Sequence, residues 1–175
     1  DLGPAAPAFA VVLCAFNTFF NLTSTDDQGR CLAAVAGRLA PGGRLVVEAF
    51  VPPPGDGDGP DGGDGPGDGT GVVAGPVSSV EARHIGLDDV VLTVSRLDPA
   101  TRTITGQHVQ LSEAGVRLRP WVLHYASPDQ LDALAAGAGL ALVERHAGWR
   151  GEPFGPSSRT HVSVYGPAAG GGGAP

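Results

Sequence analysis

The 175-residue sequence contains no methionine and few basic residues. Lys and Arg together number 11 against 18 Asp and Glu, which gives a formal net charge of −7 and a pI near 5.0. Because no basic run occurs, nucleic acid is not an expected partner. No run of about 18 apolar residues occurs either, so no membrane partner is expected. The first residues lack the charged and apolar parts of a signal peptide.

Cysteine is scarce as well, with Cys14 and Cys31 both in segments that we expect to be buried. Two cysteines in a chain of this size do not form the disulfide framework of a small secreted domain, so the cytoplasm is the expected location. The five histidines show no paired spacing, and no metal site is predicted. The absence of methionine indicates a piece of a longer protein whose amino-terminal part is missing.

With 42% hydrophobic and 17% charged residues, the chain can form one domain with a core. Phe9 to Phe16 is apolar on both faces, which is typical of a strand in a parallel sheet. A helix follows, with Thr25 and Gln28 as its predicted capping box, and Pro41-Gly42-Gly43 is expected to end it. The second strand, Arg44 to Val51, completes a right-handed βαβ unit.

The middle of the chain contains two segments that differ in composition. Residues 52–71 are almost entirely Gly, Asp and Pro, so we expect a disordered loop. Residues 72–125 are expected to form an antiparallel β insertion. Its evidence is three alternating runs joined by turn residues, namely Val90 to Arg96, Thr103 to Leu111 and Val116 to Tyr125.

The last third predicts one helix and two strands. Ser127 and Gln130 form a second capping box, and Gly139 ends this helix. The strands are Leu140 to His146 and His161 to Tyr165. The fourteen residues between them are too few for a helical crossover, so an antiparallel arrangement is favoured. The domain is expected to end at 166, and residues 167–175 form a flexible tail.

Four segments resemble one protein family in their amino-acid sequence and in their order along the chain. They are FAVVLCAFNTFFNL, LAPGGRLVVEAFVP, WVLHYASPDQLDALAAGAGLALVERHAGW and SSRTHVSVY. The family is the class I S-adenosylmethionine-dependent methyltransferases, in a bacterial small-molecule branch. The resemblance covers about residues 1 to 165, as the carboxyl-terminal part of the domain. It implies an α/β fold: the second half of a Rossmann-like methyltransferase sheet, with an antiparallel β-meander insertion and a closing antiparallel strand.

The resemblance implies methyl transfer from S-adenosylmethionine to a small-molecule acceptor, at nitrogen or oxygen. The family's glycine-rich loop and its ribose-binding acid would both precede Asp1. Asp1 itself stands where the family has an acidic residue that meets the adenine, although a plain surface Asp explains it as well. The isolated chain is therefore expected to bind the cofactor weakly and to associate through the uncovered strand Phe9–Phe16. Its oligomeric state as an enzyme stays open.

Polar residues directly follow the first strand, and two interpretations compete for them. In open α/β sheets, ligands bind beyond the carboxyl ends of the strands, which makes Phe16, Asn17 and Thr18 candidate cofactor-binding residues. Asn21 and Glu48 are candidates for contacting the acceptor. Alternatively, Asn17 and Thr18 form a turn that satisfies backbone groups.

Methyl transfer needs alignment and desolvation more than charged catalysts, because the cofactor is already activated. A general base helps if the acceptor arrives protonated, and His124, Tyr125 and His161 are the candidates. Trp149 and Phe154 are candidates for covering the acceptor. Each of these side chains has a purely structural explanation too, as a satisfied histidine or a core ring.

Two other functions stay open. The first is half of a nicotinamide-dependent dehydrogenase, which also uses a doubly wound sheet. That sheet stays parallel, whereas a methyltransferase closes with an antiparallel strand, so the direction of His161–Tyr165 discriminates. The second is a non-catalytic Rossmann-like binding domain.

Overall fold

The computed structural model describes residues 8–52 and 76–168. The chain divides into two compact units, residues 1–52 with 126–175 and residues 53–125. The helices and strands, in chain order, are β1 (Phe9–Cys14), a short 3-10 helix (Thr18–Asn21), α1 (Thr25–Ala36), β2 (Leu39–Phe50), β3 (Val77–Ile85), β4 (Asp89–Asp98), β5 (Thr103–Ser112), β6 (Gly115–His124), α2 (Pro128–Gly137), β7 (Leu140–His146) and β8 (Thr160–Pro167).

The first unit contains a mixed four-stranded sheet in the order β1-β2-β8-β7. β1 and β2 are parallel, and α1 connects them as predicted. β8 is antiparallel to both of its neighbours, β2 and β7. The prediction of an antiparallel closing strand is therefore confirmed. A dehydrogenase half, whose sheet would stay parallel, does not have this topology.

One face of this sheet forms the core. Leu45, Val47 and Ala49 alternate along β2 and are all buried. The residues opposite them on β8 are Tyr165, Ser163 and His161, and they are buried as well. α2 contributes its buried Leu131 and Ala135, and α1 its buried Leu32; the two helices pack against each other.

The start of α1 differs from the prediction. The N-cap is Ser24, whose Oγ accepts a hydrogen bond from the Asp27 backbone N–H at 3.1 Å. Thr25 is the first helical residue, so the predicted cap was wrong by one position. Gln28 is buried and donates from its side chain to the Leu22 carbonyl at 3.3 Å instead of closing a capping box.

The Pro41-Gly42-Gly43 segment does not end the helix, as was expected. α1 already ends at Ala36, and β2 begins at Leu39. The segment forms an irregularity at the start of β2, where the register with β1 shifts after Phe9. A Cβ at Gly43 would lie 2.7 Å from the Phe9 carbonyl oxygen, so the close approach of the two strands requires a glycine here.

The end of the first unit matches the prediction more closely. Ser127 and Gln130 form the complete capping box of α2: the Ser127 Oγ accepts from the Gln130 N–H at 3.2 Å, and the Gln130 side chain accepts from the Ser127 N–H at 2.9 Å. β8 continues to Pro167, so Pro167 belongs to the sheet rather than to the expected tail. Residues 169–175 lie outside the described residues.

The second unit contains a four-stranded antiparallel sheet in the order β3-β4-β5-β6. β4, β5 and β6 correspond to the three predicted runs, and β3 is a strand that the sequence analysis missed. The Trp121 ring lies over Gly106, where an added Cβ would come within 2.2 Å of it. The predicted Gly/Asp/Pro loop lies outside the described residues, apart from Pro52. No helix among the residues described is long and apolar enough to cross a membrane.

Candidate functional site

The carboxyl ends of β1 and β2 are joined by three hydrogen bonds. The Phe16 N–H donates to the Glu48 carboxylate at 2.9 Å, and the Asn17 N–H donates to the Glu48 carbonyl at 3.2 Å. The Phe50 N–H donates to the Asn17 side-chain oxygen at 2.7 Å. We call Phe16, Asn17, Glu48 and Phe50 the strand-end corner. It lies where ligands bind in open α/β sheets.

The backbone of the strand-end corner is unusual. Phe16 and Asn17 both adopt left-handed conformations, with φ of 54° and 58°. Asn tolerates this region, but a bulky residue such as Phe rarely does. The Phe16 side chain is nevertheless 86% exposed. A strained backbone that holds an aromatic ring in solvent is a feature of binding sites more than of folding cores.

Two interpretations were open for Asn17 and Thr18, a ligand site at the strand end and a turn that satisfies backbone groups. Each of them describes part of the strand-end corner. Asn17 does form a turn, and its side chain ties β1 to β2. Thr18 begins the short 3-10 helix, and Asn21 ends it with a hydrogen bond from its side-chain amide to the Thr18 carbonyl at 3.2 Å. The following rings, Phe19 and Phe20, are buried.

Glu48 and His161 share one end of the sheet but not one face. Glu48 pairs with Val162, and Ala49 pairs with His161. Because successive side chains along a strand point to opposite faces, Glu48 lies on the face away from α2, whereas His161 lies on the core face. The sheet therefore separates these two candidates.

A second polar cluster lies between α2 and the β7–β8 hairpin, and the sequence analysis did not foresee it. The Arg145 guanidinium donates to the Asp132 carboxylate at 2.6 Å and to the Ser163 hydroxyl at 2.7 Å. The Tyr165 hydroxyl donates to the same carboxylate at 2.7 Å. Burial, reinforced by that bond to Asp132, raises the pKa of the Tyr165 hydroxyl. Tyr165 is therefore held as a neutral donor.

His161 and Phe154 join this cluster. The His161 Nδ1 lies 2.8 Å from the Ser163 hydroxyl, and its ring meets the Phe154 ring edge-on with centroids 6.4 Å apart. The Arg145 guanidinium lies 5.4 Å from the centre of the Phe154 ring. Burial, helped by the charge of Arg145, lowers the pKa of His161 to about 4. His161 is therefore neutral at physiological pH.

The His161 Nε2 is buried and has no hydrogen-bond partner within the described ranges. The residue is also completely inaccessible. A general base must reach the proton that it removes. The observed contacts of His161 are those of a structural residue, and its catalytic role stays a prediction.

The remaining candidates are scattered. Trp149, on the connection between β7 and β8, is largely exposed. His124 and Tyr125 belong to the second unit; the Tyr125 N–H donates to the Arg102 carbonyl at 2.9 Å. Burial, with the nearby charge of Arg102, lowers the pKa of His124. Asp1 lies outside the described residues.

An apolar groove of the first unit lies away from the strand-end corner. It has a volume of about 430 Å³ and is lined by the amino-terminal half of β1 and one face of α1, including Phe9, Val12, Cys31 and Val35. Both cysteines are free and half-buried rather than fully buried, and burial raises the pKa of each thiol. Among residues 8–52 and 76–168, no group of three or more His, Cys, Asp or Glu is placed to hold a metal ion.

The sequence did carry a signal for the missed cluster. His161, Ser163 and Tyr165 occupy alternate positions of β8, and the intervening residues are valines. Alternation therefore places three hydrogen-bonding side chains on one face of an inner strand. Buried polar groups need partners, and this pattern predicts a buried polar partner of the kind that Arg145 provides.

No protein-family model and no curated protein matches the sequence. Solved structures do match. The structure of the CcbJ methyltransferase from Streptomyces caelestis superposes with a TM-score of 0.77 and 36% identity. The match covers 97% of this chain and 61% of the CcbJ chain.

Two more distant structures share the fold. An S-adenosylmethionine-dependent methyltransferase from Clostridium acetobutylicum superposes with a TM-score of 0.72 at 8% identity, and covers 97% of this chain and 62% of its own. The amino pentose methyltransferase CalS10 from Micromonospora echinaspora, solved with S-adenosylmethionine bound, superposes at 0.56 with 21% identity, over 93% of this chain and 60% of its own.

The chain thus spans about three fifths of the structures that it matches. The family that the sequence motifs resembled, and the cofactor that defines this family, agree with these matches. So does the sheet order, in which an antiparallel strand enters between β2 and β7. Over the part that it spans, the chain has the fold of the S-adenosylmethionine-dependent methyltransferases and is similar to the carboxyl-terminal part of their domain.

Proposed function

We propose that the protein carrying this chain transfers a methyl group from S-adenosylmethionine to a small-molecule acceptor, and that the strand-end corner contributes one wall of the reaction cleft. The observation that carries this proposal is the conformation of Phe16 and Asn17. Their left-handed backbone places an aromatic ring in solvent at the carboxyl end of β1.

The residues of the corner fit a part of the cofactor site. The exposed Phe16 ring offers an apolar surface for a flat ring system such as an adenine. Asn17 holds the corner together, because its side-chain oxygen is already bonded to the Phe50 N–H. We therefore infer that Asn17 positions Phe16 and that Phe16 makes the contact. Thr18, Asn21 and Trp149 stay candidates for further contacts.

The bound cofactor supplies a methyl group on a positively charged sulfur, which is already activated for displacement. The chain then has to align the acceptor and exclude water. Glu48 belongs to the corner, and its carboxylate is fixed by the Phe16 N–H. A fixed carboxylate attracts a cationic or amine acceptor more than a neutral hydroxyl. We propose nitrogen as the preferred methyl acceptor on this ground.

The polar cluster of Arg145, Asp132, Ser163 and Tyr165 supports the loop that carries Phe154. It holds that ring against His161 from the core side of the sheet. Under this proposal Phe154 packs on the core side of the sheet and does not cover the acceptor directly. His124 and Tyr125 stay candidates for the general base, and a cytoplasmic location stays a prediction.

The test is transfer of a labelled methyl group by the whole protein to two matched acceptors, one with an amine and one with a hydroxyl. Glu48→Gln keeps an acceptor for the Phe16 N–H but removes the charge. We expect it to raise KM for the amine by about tenfold, which corresponds to one charge-assisted contact. The hydroxyl acceptor should change little.

Glu113→Gln is the matched control, because Glu113 lies in the exposed turn between β5 and β6. It should leave both acceptors unaffected. If Glu48→Gln and Glu113→Gln behave alike, Glu48 has no part in acceptor binding. If the whole protein methylates neither acceptor, a non-catalytic binding domain becomes the better explanation.

A further inference from the structure

One end of the antiparallel sheet of the second unit carries polar side chains on a single face. Arg96 of β4 lies opposite Ser78 of β3 and Thr105 of β5. Asp98 of β4 lies opposite Thr103 of β5. Because side chains alternate along a strand, these positions all belong to one side of the sheet. Arg96 and Asp98 are two residues apart, so the sheet presents a positive and a negative charge side by side, with Cα atoms about 6.6 Å apart.

Neither of these charges is paired within the part of the chain that the structure describes. No acidic side chain there lies within ion-pair distance of the Arg96 guanidinium, and no basic side chain lies within that distance of the Asp98 carboxylate. Asp98 accepts one hydrogen bond, from the Ala100 N–H to its Oδ1 at 3.1 Å. Its second carboxylate oxygen is left for another donor. A single unpaired surface charge is ordinary, but two opposite charges that face one cavity indicate a binding site.

A cavity joins the two charges. It has a volume of about 320 Å³ and is lined by Arg96, Asp98, Thr101, Thr103 and Thr105. This volume suits a small molecule. The lining side chains offer both signs of charge and three hydroxyl groups, so the molecule that fits here is polar and carries both charges.

An adjoining cavity contains a buried hydrogen-bond acceptor. This second cavity has a volume of about 290 Å³, and it shares Arg96 and Thr105 with the first. Gln107 lines it, and the Gln107 side-chain oxygen is buried without a hydrogen-bond partner among the residues described. Leaving a buried acceptor unpaired is costly, so this oxygen marks the place where the donor of a ligand fits.

We propose that the two cavities bind a free α-amino acid whose side chain carries a hydrogen-bond donor, such as L-glutamine. Its carboxylate meets the Arg96 guanidinium, whose planar fork matches two carboxylate oxygens. Its ammonium group meets the second oxygen of Asp98. Gln107 lies opposite Val94, on the side of Arg96 away from Asp98, so the Gln107 oxygen accepts from the side chain of the ligand. The site lies within the second unit and does not depend on the proposed methyl transfer.

The experiment is isothermal titration calorimetry of the chain, without cofactor, with L-glutamine and three relatives. L-Glutaminamide lacks the carboxylate, N-acetyl-L-glutamine lacks the ammonium group, and L-norleucine lacks the side-chain donor. We expect saturable binding of L-glutamine, and dissociation constants at least about tenfold higher for each relative, because each loses one charge-assisted or buried hydrogen bond. Failure of L-glutamine to saturate the chain would overturn the proposal. Equal binding of L-glutamine and the two derivatives that lack a charge would overturn it too.

Matched substitutions test the residues themselves. Arg96→Gln and Asp98→Asn each remove one charge, and the Asn oxygen still accepts from the Ala100 N–H. We expect each to raise the dissociation constant of L-glutamine by at least about tenfold. Arg117→Gln is the control, because Arg117 is exposed like Arg96 but belongs to the opposite face of the same sheet.

The Arg117 variant should bind L-glutamine as the wild type does. Arg96 and Arg117 are both exposed, so neither substitution removes a side chain from a core, and thermal unfolding checks that the variants keep the wild-type stability. If Arg96→Gln binds L-glutamine as tightly as Arg117→Gln does, the proposed site is wrong.

Discussion

In both sheets of the molecule, successive side chains alternate between the two faces. The sheets differ in how many of these side chains are buried. In the sheet of the first unit, Leu45, Val47 and Ala49 are almost completely buried beneath α1 and α2. In the second unit no residue of the four strands β3 to β6 reaches full burial. Alternating sequence is therefore enough to specify strands, whereas a core needs a second layer.

The two sheets also differ in where their strands carry polar residues. β2 and β8 are inner strands whose core side is covered by helices. Their buried polar residues Ser163 and His161 bond to each other through the His161 Nδ1, and the His161 Nε2 has no partner among the described residues. Each face of the second sheet carries both kinds of side chain, as shown by Leu92 and Arg96 on one face of β4 and by Thr93 and Leu97 on the other. A core stabilises the first sheet from within the chain, whereas the second sheet keeps large apolar side chains such as Ile85 and Leu118 more than half exposed.

The sharpest way to test this contrast is a matched truncation of one leucine in each unit. Leu131→Ala removes a completely buried side chain of α2, and Leu87→Ala removes a fully exposed one in the turn between β3 and β4. We expect Leu131→Ala to lower the free energy of unfolding by about 2–5 kcal/mol. Leu87→Ala should change it by less than about 0.5 kcal/mol.

Urea denaturation of the two variants under identical conditions measures both values. Equal losses would show that the second unit has a core of its own that includes the Ile85–Asp89 turn. A loss below about 1 kcal/mol for Leu131→Ala would mean that the helical layer contributes little to the first sheet.

The second prediction concerns pH. The pKa of His161 is lowered to about 4 in the folded chain, from an ordinary value of 6.5. Between these two values the unfolded chain binds the proton and the folded chain does not, so stability falls as the pH falls through this window. The contribution lost is on the order of 3 kcal/mol, and His161→Gln should remove that part of the pH dependence.

Chemical denaturation at a series of pH values between neutrality and pH 4 provides the measurement. His84→Gln is the control, because His84 lies on β3 of the second sheet and is largely exposed. The wild type and the His84 variant should share one pH profile, and the His161 variant should be flatter. A His161 variant with the unchanged profile would assign the acid sensitivity to another group.

The smallest expected effect lies at the start of α1. Ser24→Ala removes the side chain that accepts the Asp27 N–H and should cost about 1 kcal/mol. Thr25→Ala changes the first helical residue, and should leave stability within about 0.5 kcal/mol because no N-cap bond is lost. Thermal unfolding compares the pair. The reverse order of effects would restore Thr25 as the cap.

Most of the fold could be predicted from sequence, because its signals are local. The capping box at Ser127 and the apolar run before Phe16 each specify one element within a few residues. Ser24 and Thr25 are both good caps, so local chemistry could not distinguish them. β3 was missed because its sequence, VSSVEARHI, carries few strand-forming residues and depends on pairing with β4.

The candidate site was less predictable than the fold. The position of Asn17 at a strand end follows from the sequence, but its hydrogen bond to Phe50 joins residues 33 positions apart. The left-handed conformation of Phe16 contradicts the preference of a bulky residue, and no local signal predicts it. The separation of Glu48 from His161 depends on which face each strand turns to the helices, and that is set by the tertiary register.

The sheet order has a consequence for how the chain is made. β8 comes last in chain order among the described strands, yet it is an inner strand that pairs with β2 on one side and β7 on the other. During synthesis, the facing edges of β2 and β7 stay unpaired until β8 has been made. Pairing over such a sequence distance is slow, and open apolar edges attract other chains. Newly made chains are therefore exposed to misassembly until β8 pairs, and a chain cut before β8 could not close this sheet.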